Sequence, residues 1–208
     1  MDDDSGLLTL EKFGFPLVST APDPADLDFT TFFAKREVPP VTPAQKAKIA
    51  AEALIGENEI TKGGFCVSMA RPGLRPIKPV QGKAQVLVVE DEPLTSSMIQ
   101  RMLTGAGYEP IPAASGREVV ERLRNPRLPD LILMDVMLPD IDGFKILERI
   151  RSHKVIGDIP VVMVSGQADM ADINRGFTAG ADGYVTKPTT RKALLGVIEQ
   201  VMAGKPFE

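Results

Sequence analysis

Leu131-Ile132-Leu133-Met134-Asp135-Val136-Met137-Leu138-Pro139-Asp140-Ile141-Asp142-Gly143 holds a strand, a loop and the start of a helix in one short run. The apolar half reads as a strand buried on both faces, because polar residues do not alternate through it. It ends on a carboxylate, Asp135. A loop punctuated by Pro139 and closed by Gly143 follows, and Phe144, Ile146, Leu147 and Ile150 then recur at helical spacing to Ser152. Open α/β sheets bind ligands at the C-terminal ends of their parallel strands. Asp135 is therefore the first residue to examine for chemistry, and spacing alone leaves open whether it only caps the loop.

Working outward, the same alternation repeats. Val86–Val89 is a buried strand ending in Glu90-Asp91-Glu92, and Pro93 opens a helix with Met98, Ile99, Met102 and Leu103 on one side. Residues 108–113 form a weak strand. Its Pro110 and Pro112 cannot donate to a ladder, so it belongs at a sheet edge. Ser115 is an N-cap for a helix carrying Val119, Val120 and Leu123. Beyond the central run, Ile159–Val164 is a strand ending in Ser165-Gly166, and Asp169–Ala179 a short helix. Gly183–Thr186 is a last strand ending in Lys187-Pro188, and Thr190–Met202 a final helix with Leu194, Leu195, Val197, Ile198 and Val201 inward. Five strand–helix alternations imply a doubly wound parallel sheet, flavodoxin-like, and the Pro-bearing edge strand fits the order 2-1-3-4-5.

Residues 1–83 have a different texture. Residues 1–41 are irregular, broken by Pro16, Pro22, Pro24, Pro39 and Pro40, yet Phe13, Phe15, Phe29, Phe32 and Phe33 supply five of the nine phenylalanines. Those rings must pack on the protein's own surface or into a partner's groove. Residues 42–56 form one Ala- and Lys-rich helix, capped by Thr42-Pro43 and stopped at Gly56. Residues 57–83, rich in Pro and Gly with Arg71, Arg75, Lys78 and Lys83, read as a linker with a solvated basic cluster.

Composition narrows the function. The 208 residues are 43% hydrophobic, enough for a real core, and carry a net charge of −4, against a broad nucleic-acid-binding face. One cysteine, Cys66, excludes an internal disulfide and suits a reducing compartment; it reads as a small buried side chain. No apolar run approaches the roughly 20 residues that span a bilayer. The acidic N-terminus is unlike a signal peptide. A cytoplasmic location is expected.

Four strand ends deliver Glu90 and Asp91, Asp135, Ser165 and Lys187 to one rim of the sheet. Clustered carboxylates resist joint ionisation unless a cation sits among them. Hard oxygen donors with room for water favour Mg²⁺. A metal ion and Lys187 flanking a carboxylate form a pocket for a transferring phosphoryl group, with Asp135 as nucleophile and Ser165 as hydrogen-bond donor.

Residues 84–204 resemble the receiver domain of bacterial two-component response regulators over their whole length. The resemblance rests on Val88-Val89-Glu90-Asp91-Glu92-Pro93, on Leu133 to Gly143, on Val164-Ser165-Gly166 and on Gly183-Tyr184-Val185-Thr186-Lys187-Pro188. It implies that Asp135 accepts a phosphoryl group from a histidine kinase or phosphotransfer protein. It further implies that Asp91, Asp135 and the backbone carbonyl of Met137 bind Mg²⁺, with Glu90 acting through water. Ser165 and Tyr184 would form a switch pair, hydroxyl moving to the phosphoryl group and ring turning inward, and Lys187 would pair with phosphoryl oxygens. Met137 and Gln167 occupy positions that influence acyl-phosphate hydrolysis, and an apolar Met137 predicts slow self-dephosphorylation. The sole histidine, His153, lacks the surroundings of a phosphotransfer helix.

The chain ends after the last receiver helix, so output is expected from protein–protein contact without a C-terminal effector, and neither enzymatic activity nor DNA binding is expected. The face near Tyr184 is the implied docking or dimerisation surface, read by a downstream protein or by the N-terminal segment, which is a candidate to cap that face at rest. The alternative is a constitutive receiver-fold adaptor acting without phosphate. A phosphatase or nucleotide-binding enzyme would need a second acid/base after Asp135 or a Gly-rich loop after the first strand, where Glu92-Pro93-Leu94 stands instead.

Overall fold

The computed structural model describes residues 66–68, 76–77, 82–166 and 170–204. The expectations for the irregular segment 1–41, its phenylalanines, the helix 42–56, Arg71, Arg75, Lys78 and Gln167 lie outside these residues.

Five parallel strands form the sheet: β2 (Gln85–Val89), β3 (Glu109–Ala113), β4 (Leu131–Asp135), β5 (Val161–Ser165) and β6 (Gly183–Thr186). They are ordered β3-β2-β4-β5-β6, which is 2-1-3-4-5 when the parallel strands are counted in chain order. The Pro-bearing β3 lies at one edge, as its missing N–H groups require. The expected strand from Ile159 begins two residues later, at Val161, after Pro160.

A sixth strand corrects the reading of 57–83 as plain linker. Cys66–Ser68, β1, pairs antiparallel with β6 in the register Cys66↔Val185, Val67↔Tyr184 and Ser68↔Gly183. Farther along, the Ile77 amide donates to the Met202 carbonyl at 2.8 Å. Three residues give too short a period to stand out between glycines and prolines, and their partner is more than a hundred residues away.

The helices are α1 (Pro93–Thr104), α2 (Gly116–Leu123), α3 (Gly143–Ser152), α4 (Met170–Thr178) and α5 (Arg191–Met202). Strand residues alternate between two cores, as period two demands. Leu87, Val89, Ile132 and Met134 join Val119, Phe144, Leu147 and Phe177 on the side of α2, α3 and α4. Val86, Val88, Leu131, Leu133 and Val185 join Ile99, Leu103, Leu194 and Val197 on the side of α1 and α5. Full burial of such aliphatic side chains contributes about 1.5–3 kcal/mol each before entropy is counted. On α1, Met98 points to solvent and Ile99 and Leu103 carry the contact.

Caps fix where the helices begin. The Glu92 carboxylate accepts from the Leu94 and Thr95 amides and Pro93 stands at the first position of α1. Ser115 accepts from Glu118 N, Asp142 from Phe144 N at 2.8 Å and Thr190 from Ala193 N. Asp140, in the loop after β4, accepts from the Gly116 and Arg117 amides at 3.0 and 3.2 Å, so one loop residue ties the Asp135 loop to the N-terminus of α2.

Candidate functional site

The end of β2 places Glu90 and Asp91, and the end of β4 places Asp135, with one carboxylate oxygen from each within 4.8 Å of the others. Glu90 and Asp135 are buried at 3% and 5% exposure, whereas Asp91 faces solvent. Lys187, directly after β6, reaches both buried acids: Nζ stands 2.7 Å from Asp135 Oδ2 and 2.6 Å from Glu90 Oε2. The Met137 amide donates to Asp135 Oδ1 at 3.1 Å, which turns the other oxygen toward Lys187. Four of the residues read from strand ends thus meet in one pocket.

Electrostatics follow from this crowding. Burial pushes the Glu90 carboxyl above the usual range, the Asp135 charge adds to the rise, and Lys187 opposes it. Burial alone would lower the Lys187 ammonium, yet its hydrogen bonds and charge attraction to Asp135 and Glu90 outweigh that and raise it. Lys187 is accordingly cationic at neutral pH. One ammonium faces three carboxylates, so the pocket is short of positive charge. An all-oxygen donor set with one open, solvent-facing member fits a small hard cation that keeps some of its waters.

Backbone packing sets the position of Asp135. The Gly143 amide donates to the Val136 carbonyl at 2.8 Å, and Met137 bridges to Asp142 across the turn. A Cβ at Gly143 would run into the Asp135 carbonyl oxygen, so the turn closes only with glycine.

Ser165 ends β5, fully buried, in register with Thr186. The Lys187 amide donates to the Ser165 carbonyl at 2.7 Å, coupling that strand end to the lysine. Tyr184 is fully buried, its ring turned into the core beside Phe144 and against Gly176 of α4. Met137 is 66% exposed. His153 caps the end of α3, its Nδ1 accepting from the Val155 amide at 3.2 Å. Cys66 is half-buried against the α1/α5 core.

Three features escaped sequence reading. Glu92, the third acid of the run, serves as the α1 cap. The Lys187–Pro188 peptide is cis. A buried ion pair joins Arg151 Nη2 to Asp182 Oδ2 at 2.8 Å, with 6% and 0% side-chain exposure. Arg151 also donates to the carbonyls of Gly180, Gly157 and Ile159, and Asp182 accepts from the Val161 amide. Nothing in the spacing of residues 31 apart announces this pair.

A doubly wound α/β domain with an acid cluster and a lysine at its C-terminal strand ends is built to hold a cation and an anionic ligand there. The chain belongs to the response regulator receiver domain family, whose model matches residues 86–199. It is 38% identical over 118 residues to the phosphate regulon transcriptional regulatory protein PhoB of Escherichia coli, covering 57% of this chain and 51% of PhoB. Over 121 residues it is 34% identical to the DNA-binding dual master transcriptional regulator RpaA of Synechocystis, covering 57% of this chain and 48% of RpaA. The chain thus spans about half the length of these curated relatives. Among solved structures it resembles a putative response regulator from Chloroflexus aurantiacus (35% identity, TM-score 0.56, covering 58% of this chain and 98% of that one). It also resembles the chemotaxis protein CheY4 of Vibrio cholerae (30% identity, TM-score 0.54, 58% and 99%). Among the described residues no helix is long and apolar enough to cross a membrane.

Proposed function

We propose that this chain accepts a phosphoryl group on Asp135 from a histidine kinase or phosphotransfer protein and signals through phosphorylation-dependent protein contact. One observation carries the reading: Lys187 sits at 2.6–2.7 Å from two buried carboxylates of a three-acid cluster. An Asp135 oxygen attacks phosphorus, the P–N bond of the phosphohistidine breaks, its electron pair leaves with the imidazole, and a mixed carboxylic–phosphoric anhydride forms. Asp91, Asp135 and the Met137 carbonyl would hold Mg²⁺, with Glu90 acting through water. Bound there, Mg²⁺ supplies positive charge to the phosphoryl oxygens. Lys187 holds the Asp135 carboxylate in place beforehand and pairs with the transferred group afterwards. Ser165 donates its hydroxyl to a phosphoryl oxygen, and Tyr184 keeps its ring inward when it does.

Exposed Leu94 and Met137, a few residues beyond the acids of β2 and β4, offer the phosphodonor an apolar rim. The face formed by α4, β6 and α5 carries the output. The net charge of −4 over the whole chain favours a protein over DNA as its partner, and a cytoplasmic setting suits both donor and target.

The test is phosphorylation of the whole chain by acetyl phosphate with Mg²⁺, followed by intact-mass and peptide mapping. One labile phosphoryl group at Asp135 is expected, lost in Asp135→Asn and on removing Mg²⁺. With the apolar Met137 unable to orient water, the group should outlast seconds. No label, or label at another residue, overturns the reading. Full activity of Asp135→Asn in cells would instead favour the constitutive adaptor.

A further inference from the structure

The open edge of a sheet is a row of unpaired donors and acceptors that recruits another strand. In this chain the edge of β6 is taken by the chain's own β1. The pairing runs along Gly183–Val185, so Val67 lies opposite Tyr184. Cys66 packs half-buried onto the core that holds Val185, Leu194 and Val197, β1 also contacts α5, and the Ile77 amide closes onto Met202 at the far end of α5.

β6 meets the acid pocket at its C-terminal end. Lys187 follows Thr186 directly and touches Asp135 and Glu90, while Thr186 is in register with Ser165. A ladder of three residues is marginal by itself, so its docking equilibrium lies within reach of small biases. The Tyr184 ring is inward, packed against Gly176 and Phe144. β1 occupies the edge beside Tyr184, where a ring leaving the core would need room.

We propose that Cys66–Ser68 is an internal reader of the phosphoryl state, a strand that seats on β6 when Tyr184 is inward and seats more tightly once Asp135 is phosphorylated. It rests on Asp135 being the phosphoacceptor. Linkage makes the effect reciprocal: a seated strand holds the ring inward and favours the phosphorylated form. A second copy or a foreign strand seeking this edge has to displace β1 first.

Cys66, the one cysteine of the full chain, reports on the strand without any substitution. Full-length protein is treated with a thiol reagent before and after loading with acetyl phosphate and Mg²⁺, and phosphoryl mass at Asp135 is measured on the same samples. Loading should slow labelling by at least about fivefold, the low end of ordinary coupling between sites, with no change in Asp135→Asn. Hydrogen exchange on the same samples should show added protection at Cys66–Ser68 and Gly183–Val185 together, which a mere change in thiol chemistry would not produce. If Asp135 loads and labelling is unchanged or faster, or protection at Cys66–Ser68 does not rise, the reader role is wrong and the phosphoacceptor reading survives. If Asp135 does not load, both fall.

Discussion

Lys187→Met removes the ammonium between two buried acids and leaves the chain length of the side chain nearly intact. Its cost follows from the geometry. Breaking a fully buried ion pair costs about 3–5 kcal/mol, and an exposed one about 0–1 kcal/mol. Lys187 is 22% exposed while Glu90 and Asp135 are 2% and 6% exposed at their side chains. The site therefore falls between these limits, at about 2 kcal/mol. In urea, with a slope of about 2 kcal/mol per molar, the midpoint should drop by about 1 M at pH 7 without Mg²⁺.

Mg²⁺ provides the sharper measurement. Held by the proposed carboxylates, it would share their neutralisation with Lys187, so added Mg²⁺ should raise the midpoint of Lys187→Met more than that of the unmodified chain. The ceiling at a hundredfold excess over Kd is about 2.7 kcal/mol. The pH dependence has a definite sign. Glu90 is raised by burial first and by Asp135 second, with Lys187 opposing; without Lys187 it rises further. A carboxyl whose pKa is raised on folding binds protons more tightly in the folded state, so lowering pH through that pKa shrinks the deficit of the variant. Lys187 is raised above 10.5. Its contribution is full below the unfolded value and is lost as pH climbs through the folded one, so the two proteins also converge at strongly alkaline pH. A midpoint unchanged without Mg²⁺, or equal Mg²⁺ shifts in both proteins, would refute the shared-counterion account.

Arg151→Met should lower stability by about 3–5 kcal/mol and the melting temperature by about 10–20 °C, since Asp182 is left buried without its cation; Asp182→Asn, which keeps an acceptor for Val161 N, should cost less. Thermal unfolding checks both, and a loss below about 1 kcal/mol for Arg151→Met would contradict the burial argument. Gly143→Ala pushes on the Asp135 carbonyl, and a displacement near 1 Å should slow acetyl-phosphate loading by about 10–100-fold in the folded fraction. An unchanged loading rate would mean the turn yields without moving Asp135.

How far the sequence reveals this molecule depends on the range of the force involved. Strands such as Val86–Val89 and Leu131–Asp135 announce themselves because burial on both faces requires an unbroken apolar run, and the polar residue that ends each run is necessarily at the rim. The prolines of β3 locate an edge because a missing donor is a local fact. The rim acids and Lys187 were legible for the same reason, each standing at or just after the end of a buried strand. Glu92 was not separable from its two neighbours, since an acid that caps a helix and an acid that faces a metal look alike until backbone amides are placed around them.

Long-range pairings leave no such local mark. Arg151 lies near a helix end where a basic residue is ordinary, and only the fold brings Asp182 beneath it. β1 is the harder case, because three residues have no periodicity to read and their pairing is decided by what β6 lacks. Any doubly wound sheet of this order leaves its last strand with one open edge, and that is a property of the topology. Given the topology, the question becomes which part of the chain can reach the edge, and the segment preceding residue 82 is tied to the sheet at the opposite end of β2 from the acids. β1 pairs antiparallel with β6, and β6 carries the Tyr184 ring and runs directly into Lys187. The proposed coupling of β1 to Asp135 requires β6 to yield, and an amide-exchange comparison of Gly183–Thr186 with the central β4 tests this directly: equal protection in both strands would remove the physical basis for coupling.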